Sequence, residues 1–216
     1  PGSILHGLTK MGSTWQDAPF DTAAGPRIAL GDVTGDGLPE LVVASSESLQ
    51  VFRVDDSGAV EELAHTTMVW HYPGLELADL DGDFNLEIVV GGADGYGYGY
   101  AAFDFGPGSA LTKLAEEATP RLWTNSGIFT ANGHVIDLDG DGRADFLESK
   151  GDGMSVFWKG RGDGHFDIAE TYRLPGGREL VGLTDFDADG LDDMLLRGSS
   201  DYNGSLLLVR GAIQCQ

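Results

Sequence analysis

One motif occurs four times along the chain, and this repetition limits the possible folds more than any other feature. The copies are GDVTGDGLPELVV (31–43), ADLDGDFNLEIVV (78–90), IDLDGDGRADFLE (136–148) and TDFDADGLDDMLL (184–196). Their first aspartates, Asp32, Asp79, Asp137 and Asp185, are separated by 47, 58 and 48 residues. A supersecondary unit that recurs every ~50 residues cannot bury its own apolar face. It stacks on its neighbours as an array or a propeller.

Within each unit the order is the same. An apolar stretch (RIAL, LELA, GHVI, ELVGL) enters the acidic loop, and a β-type run (LVVAS, IVVGG, FLES, MLLRG) leaves it. A further run follows a turn (LQVFRV, YGYGYAAF, SVFWKG, SLLLVRG), and a last one ends three of the units (VEELAHT, LTKLAEE, FDIAETYRL). Short apolar runs broken by Gly, Asp, Asn and Ser clusters such as DDSG, RGDG and DYNG read as antiparallel strands joined by hairpins. The 33 glycines fit a chain of many tight turns. LTKLAEEA is helix or strand on propensity alone.

The expected fold is therefore all-β: a propeller of four four-stranded blades in one domain, residues 1–216. The repeats run over about 25–68, 69–122, 123–174 and 175–216. The fourth unit lacks its last run. GLTKMGSTW near the N-terminus is similar to LTKLAEEATPRLW, so a strand over residues 3–15 is expected to complete the last blade. Closure removes exposed sheet edges. The alternative is four blades of a larger ring, which would leave two apolar faces open to self-association.

Numbering each loop from its first aspartate, positions 1, 3 and 5 are Asp32, Thr34, Asp36; Asp79, Asp81, Asp83; Asp137, Asp139, Asp141; and Asp185, Asp187, Asp189. Position 9 is always acidic: Glu40, Glu87, Asp145 and Asp193. Position 7 offers a backbone carbonyl, at Leu38, Asn85, Arg143 and Leu191. Alternating hard oxygens on a tight turn suit calcium, which takes six to eight of them in flexible geometry. Zinc would require His or Cys, and the loops hold neither. An EF-hand needs Glu at position 12 between helices, whereas position 12 here is Val43, Val90, Glu148 and Leu196, in strand-like runs. The pattern is strand–loop–strand.

With these four D-x-D-x-D-G-x-x-D-type loops at blade spacing, the sequence resembles the calcium-binding β-propeller repeats called FG-GAP or VCBS repeats, found in integrin alpha subunits and many secreted microbial proteins. The flanking Phe-Gly and Gly-Ala-Pro signatures are not clear, so the VCBS-like variety fits better. The resemblance implies up to four calcium ions, mainly structural, each between the first two strands of a blade. Two positions depart from the pattern. Thr34 replaces a carboxylate, which weakens the first loop, and Phe84 stands where the second loop should have Gly. The ligand positions hold 15 of the 35 acidic residues, and four calcium ions would move the formal charge from −22 to −14.

That charge argues against nucleic acid and against an anionic membrane surface. No apolar run has the length of a membrane span. PGSILHG lacks the features of a signal peptide and reads as a mature or trimmed N-terminus. The single cysteine, Cys215, cannot make an internal disulfide. Arg161-Gly162-Asp163 contains an adhesion tripeptide but reads as a hairpin turn, as does the sequon at Asn203–Ser205. Aromatics recur before the first strand of each unit: Phe20, Trp70 with Tyr72, Trp123 and Tyr172. Trp70, Tyr72, Trp123 and Tyr172 are candidates for stacking on a sugar, against a plainer role in packing between blades. Tyr96, Tyr98 and Tyr100 alternate with glycines on one strand face, as a ligand surface or as packing. The five histidines form no catalytic or metal spacing, and Gly-x-Ser-x-Gly and His-Glu-x-x-His are absent. The expected function is a calcium-stabilised extracellular binding module for carbohydrate or a protein surface, and not an enzyme. The alternative is a structural or assembly propeller of a larger secreted protein.

Overall fold

A computed structural model describes residues 4–11, 14–21, 27–55, 58–68, 71–93, 98–106, 110–119, 133–137, 140–150, 154–173, 179–184, 186–188, 193–197 and 206–209. All regular structure among them is strand, in antiparallel sheets. The first sheet pairs β1 (Ile4–Met11) with β2 (Thr14–Asp21). The second orders β3 (Arg27–Gly31), β4 (Glu40–Ala44), β5 (Ser48–Val54) and β6 (Val60–Thr67). The third orders β7 (His71–Ala78), β8 (Glu87–Ala93), β9 (Tyr98–Gly106) and β10 (Ala110–Thr119). The fourth orders β11 (Gly133–Ile136), β12 (Asp145–Lys150), β13 (Met154–Gly160) and β14 (Phe166–Arg173). The last holds β15 (Glu179–Thr184), β16 (Asp193–Arg197) and β17 (Leu206–Val209).

The expected completion of the last blade by a strand over residues 3–15 is not seen among the described residues. There β1 pairs with β2 as a hairpin, over Ile4↔Asp21 to Met11↔Thr14. This hairpin has the place in chain order that β5–β6 and β13–β14 have before the next acidic loop. Among the described residues no pairing joins β1 or β2 to β17, and no sheet closes.

From the second sheet to the last, successive sheets stack face to face. β3 lies against β7, β7 against β11, and β11 against β15, so the first strand of each unit adjoins the first strand of the next. Alternation along β8 explains why its sequence is apolar without a break. Ile88 and Val90 pack with Val42, Ala44 and Val51 of the preceding sheet, while Val89 packs with Ala144, Phe146 and Trp158 of the following one. Both faces of a middle blade are buried, so both alternating sets of side chains are apolar. Tyr100 makes one of these contacts. It is buried, its ring meets Phe166 edge-on at 5.4 Å, and its hydroxyl oxygen accepts from the Phe166 N–H at 3.3 Å. It packs between blades.

LTKLAEEA is a strand. Pairing of β10 with β9 overrides its helix propensity, and the register slips between Lys113 and Ala115. The outer pairs β5–β6 and β13–β14 carry the same irregularity, at Val51/Phe52 and Phe157/Trp158. A bulge in each outer hairpin increases the local twist. Apolar side chains remain exposed at both ends of the stack: Ile28, Leu30 and Val54 on the first four-stranded sheet, Leu206 and Leu208 on the last sheet. Among the described residues no helix is long and apolar enough to cross a membrane.

Candidate metal centre

Each acidic loop joins the first and second strand of its sheet. The first three loops have the same internal bonding. The position-1 aspartate accepts three backbone N–H groups. Asp32 takes Gly35 and Asp36 on Oδ1 at 2.8 and 3.2 Å and Gly37 on Oδ2 at 2.7 Å. Asp79 takes Gly82 and Asp83 at 2.7 and 3.1 Å and Phe84 at 2.9 Å. Asp137 takes Gly140, Asp141 and Gly142 at 2.8, 3.2 and 2.8 Å. The position-5 aspartate then accepts the N–H of position 7, from Leu38, Asn85 and Arg143. The turn requires left-handed backbone at positions 4 and 6. Gly37 and Gly142 supply it at φ 86° and 84°, and Phe84 adopts it at 72°. Ala188 does so at position 4 of the last loop, at 59°.

The position-9 acids are the buried members of the set. Glu40, Asp145 and Asp193 are 0 % exposed and Glu87 is 4 % exposed. A carboxylate out of water requires donors or a cation. The Leu80 N–H donates to Glu87 Oε2 at 2.6 Å, the Gly160 N–H to Asp145 Oδ1 at 2.9 Å, and the Phe186 N–H to Asp193 Oδ2 at 2.9 Å. In the first loop, Glu40 Oε2 and Thr34 Oγ1 are buried without a hydrogen-bond partner.

In the second loop Asp79, Asp81 and Glu87 bring one carboxylate oxygen each to within 4.8 Å of one another. Burial pushes the Glu87 carboxyl up to about 7. The Leu80 N–H opposes that shift, and Asp81, Asp83 and Asp79 add to it by repulsion. Carboxylates that raise one another in this way favour a cation among them. An all-oxygen set with one buried anchor fits a hard divalent ion such as calcium. Asp79, Asp81 and Glu87 would hold it, and it would supply positive charge and cross-linking. Asp83 is engaged by the Asn85 amide, which donates to its Oδ2 at 2.9 Å.

Two basic residues beside the first and third loops were not singled out by the motif. Arg53 Nη2 lies 2.6 Å from Asp36 Oδ2 and 3.4 Å from Glu40 Oε1. Lys159 Nζ lies 2.9 Å from Asp141 Oδ2. Burial alone would raise the Asp141 carboxyl, but the bond from Lys159, with the Arg143 N–H and the charges of Lys159 and Arg143, holds it below its ordinary value. Arg53 and Lys159 are on the third strand of their blades, distant in sequence from the motif.

The loops also touch one another. The Ala144 N–H donates to the Asp79 carbonyl at 3.0 Å and the Leu86 N–H to the Asp32 carbonyl at 3.4 Å. Of the expected ligands, Asp139, Asp185, Asp189 and Leu191 lie outside the described residues, as do Trp70, Trp123, Tyr96, Asn203 and Cys215. Tyr72 is on β7 and Tyr172 on β14. Arg161-Gly162-Asp163 is a turn. The Arg161 N–H donates to the His165 carbonyl at 2.9 Å, and the Arg161 side chain pairs with Asp167.

A model of the FG-GAP-like repeat matches residues 32–90 and 137–196, more than half of the chain. The chain belongs to the FG-GAP-like repeat family. No curated protein sequence matches this FG-GAP-like protein. Among solved structures it is similar to an Agrocybe aegerita lectin that recognises non-reducing terminal N-acetylglucosamine. That match has TM-score 0.59 and 17% identity over 89% of this chain and 60% of the lectin. It is also similar to a chain of the Photorhabdus luminescens Tc holotoxin pore, with TM-score 0.54 and 15% identity over 91% of this chain and 10% of that one. The FG-GAP-like chain thus spans three-fifths of the lectin's length and a tenth of the toxin chain's. At these identities the likeness extends to the fold alone, a stack of propeller-type blades.

Proposed function

We propose that this chain is a calcium-stabilised, extracellular, non-catalytic binding module that recognises carbohydrate. The observation that carries the calcium part is the second loop, where three carboxylates converge around the buried Glu87. Millimolar calcium outside cells fills sites of this kind even when they are weak. Support for a sugar ligand comes from the lectin whose blades resemble these, and from aromatics that recur in sequence where one unit passes to the next. Tyr72 and Tyr172, with Trp70 and Trp123, are the residues proposed to stack on it. A glycan array read in calcium and in chelator, with melting curves on the same samples, tests this. Calcium-dependent glycan binding is expected. Binding that survives chelation, or no glycan binding in calcium, would reject the reading.

A second reading, assembly with protein partners, is favoured by the exposed Leu30 and Leu206 at the two ends of the stack. Similarity to a toxin-complex chain agrees with it. Light scattering across a concentration series separates the two. A monomer at all concentrations counts against assembly through these faces of like copies.

A further inference from the structure

The four loops share a motif, but among the first three the electrostatic surroundings differ, and the difference lies on the third strand of each blade. The ladder β4–β5 begins at Leu41↔Phe52, β8–β9 at Ile88↔Phe103 and β12–β13 at Phe146↔Trp158. One step beyond, the residue across from the position-9 acid is Arg53 for Glu40, Asp104 for Glu87 and Lys159 for Asp145. Residues directly across a ladder share a sheet face. Continued by one step, the register thus leads to a cation in two of these three blades and to an acid in the third.

The distances bear this out for the two cations. Arg53 reaches the acids at positions 5 and 9 of the first loop, at 2.6 and 3.4 Å. Lys159 reaches the position-5 acid of the third loop, at 2.9 Å. These are carboxylates a metal ion would draw on. Counting the acids at positions 1, 3, 5 and 9 with the position-7 residue and the third-strand residue, the formal charges are −2 for the first loop, −5 for the second and −2 for the third. The third loop has Arg143 as a second cation, and the second loop has no Lys or Arg at all.

We infer that Arg53 and Lys159 are resident counter-ions that occupy part of the metal's role in the first and third loops, so that the residue across from position 9 sets the calcium affinity of each loop and the second loop, facing Asp104, is the tight site among the three. In the first loop the guanidinium meets one oxygen of Glu40 and leaves Oε2 without a partner, so calcium binding there is weakened, not abolished. This inference rests on the calcium reading above and assigns its selectivity.

Calcium titration calorimetry on the whole chain at fixed ionic strength tests it, with melting in chelator as a second readout. Reversing the sign of the charge across from position 9 is expected to change affinity about tenfold or more. Asp104→Lys should weaken the tightest site by that factor, and Asp79→Asn should remove the same site, which assigns it to the second loop. Arg53→Gln and Lys159→Gln should each tighten a weaker site and lower the melting temperature in chelator, with recovery on adding calcium. Arg53→Lys keeps the charge and should titrate like the parent, which separates charge from packing. Calcium isotherms that are the same in the parent, Asp104→Lys, Arg53→Gln and Lys159→Gln would overturn the counter-ion inference and leave the calcium reading in place. Absence of calcium binding in the parent and every variant would overturn both.

Discussion

Phe84 occupies a position that favours glycine. Its φ of 72° is held by the bond from its N–H to Asp79 Oδ2, and the residue is 93 % exposed, so packing returns little for the strain. A non-glycine residue in left-handed backbone costs about 1–2 kcal/mol. Phe84→Gly is expected to raise the melting temperature by roughly 2–4 °C in chelator. A fall would show that the ring has a partner in solution. The departure was legible in the sequence, because the other three loops have Gly at position 6. That the loop would hold the backbone conformation regardless was not legible, since it depends on the three N–H bonds to Asp79. Glu76 is a second case. It is half-buried on β7 across from Val89, and burial pushes its carboxyl from 4.5 to about 7. The folded chain then holds this proton more tightly than the unfolded chain. Its contribution to stability is full below about pH 4.5 and is lost as pH rises through about 7. Glu76→Gln should therefore melt higher than the parent at about pH 8, with the gap closing near pH 4.5. A constant gap across that range would count against a raised Glu76.

Elements depend on contacts that no local pattern reports. Gly160 ends β13, and a Cβ there would lie 2.1 Å from the Ala144 carbonyl oxygen, which is backbone and cannot move aside. Its N–H also anchors Asp145. Gly160→Ala is expected to cost at least about 2 kcal/mol in denaturant unfolding. A change under half of that would mean the strand end relaxes freely. In the sequence Gly160 looks like any glycine opening a turn, because the carbonyl it meets belongs to a different segment. LTKLAEEA became β10 for a similar reason. Its own propensity is divided, and the hydrogen bonds of β9 decide. At the N-terminus GLTKMGSTW reads as one strand, whereas β1 and β2 form a hairpin, since TWQDAPFD has no acidic loop to mark it.

Across the whole molecule, neighbouring blades are coupled at two levels. In the core, Tyr100 of β9 is packed on Phe166 of β14, with its hydroxyl accepting the Phe166 N–H. Tyr100→Phe leaves that buried N–H without its partner, at an expected cost of about 1–2 kcal/mol, measured by urea unfolding. At the loop end, the Asp79 carbonyl accepts the Ala144 N–H of the next blade. Calcium that rigidifies Asp79 should therefore slow hydrogen exchange at Ala144, one blade away, and Asp79→Asn should remove the effect. Equal exchange at Ala144 with and without calcium would show that the loops bind independently.

The sequence alone determined the repeat, the all-β class and the position of each acidic loop between the first two strands of a blade. These are local matters: spacing, alternation and turn chemistry act over a few residues, and each recurs in every unit. Tertiary structure decided what distinguishes the loops. Whether an acid at position 9 faces Arg53, Asp104 or Lys159 is set by strand register, which brings together residues 13 to 17 apart. Which tyrosine packs between blades, and which glycine meets a backbone carbonyl, depends on how whole sheets stack. The three loops described in full or nearly so thus have a common shape and unequal charge, because shape is local here and the electric field at each loop is the sum over neighbouring strands.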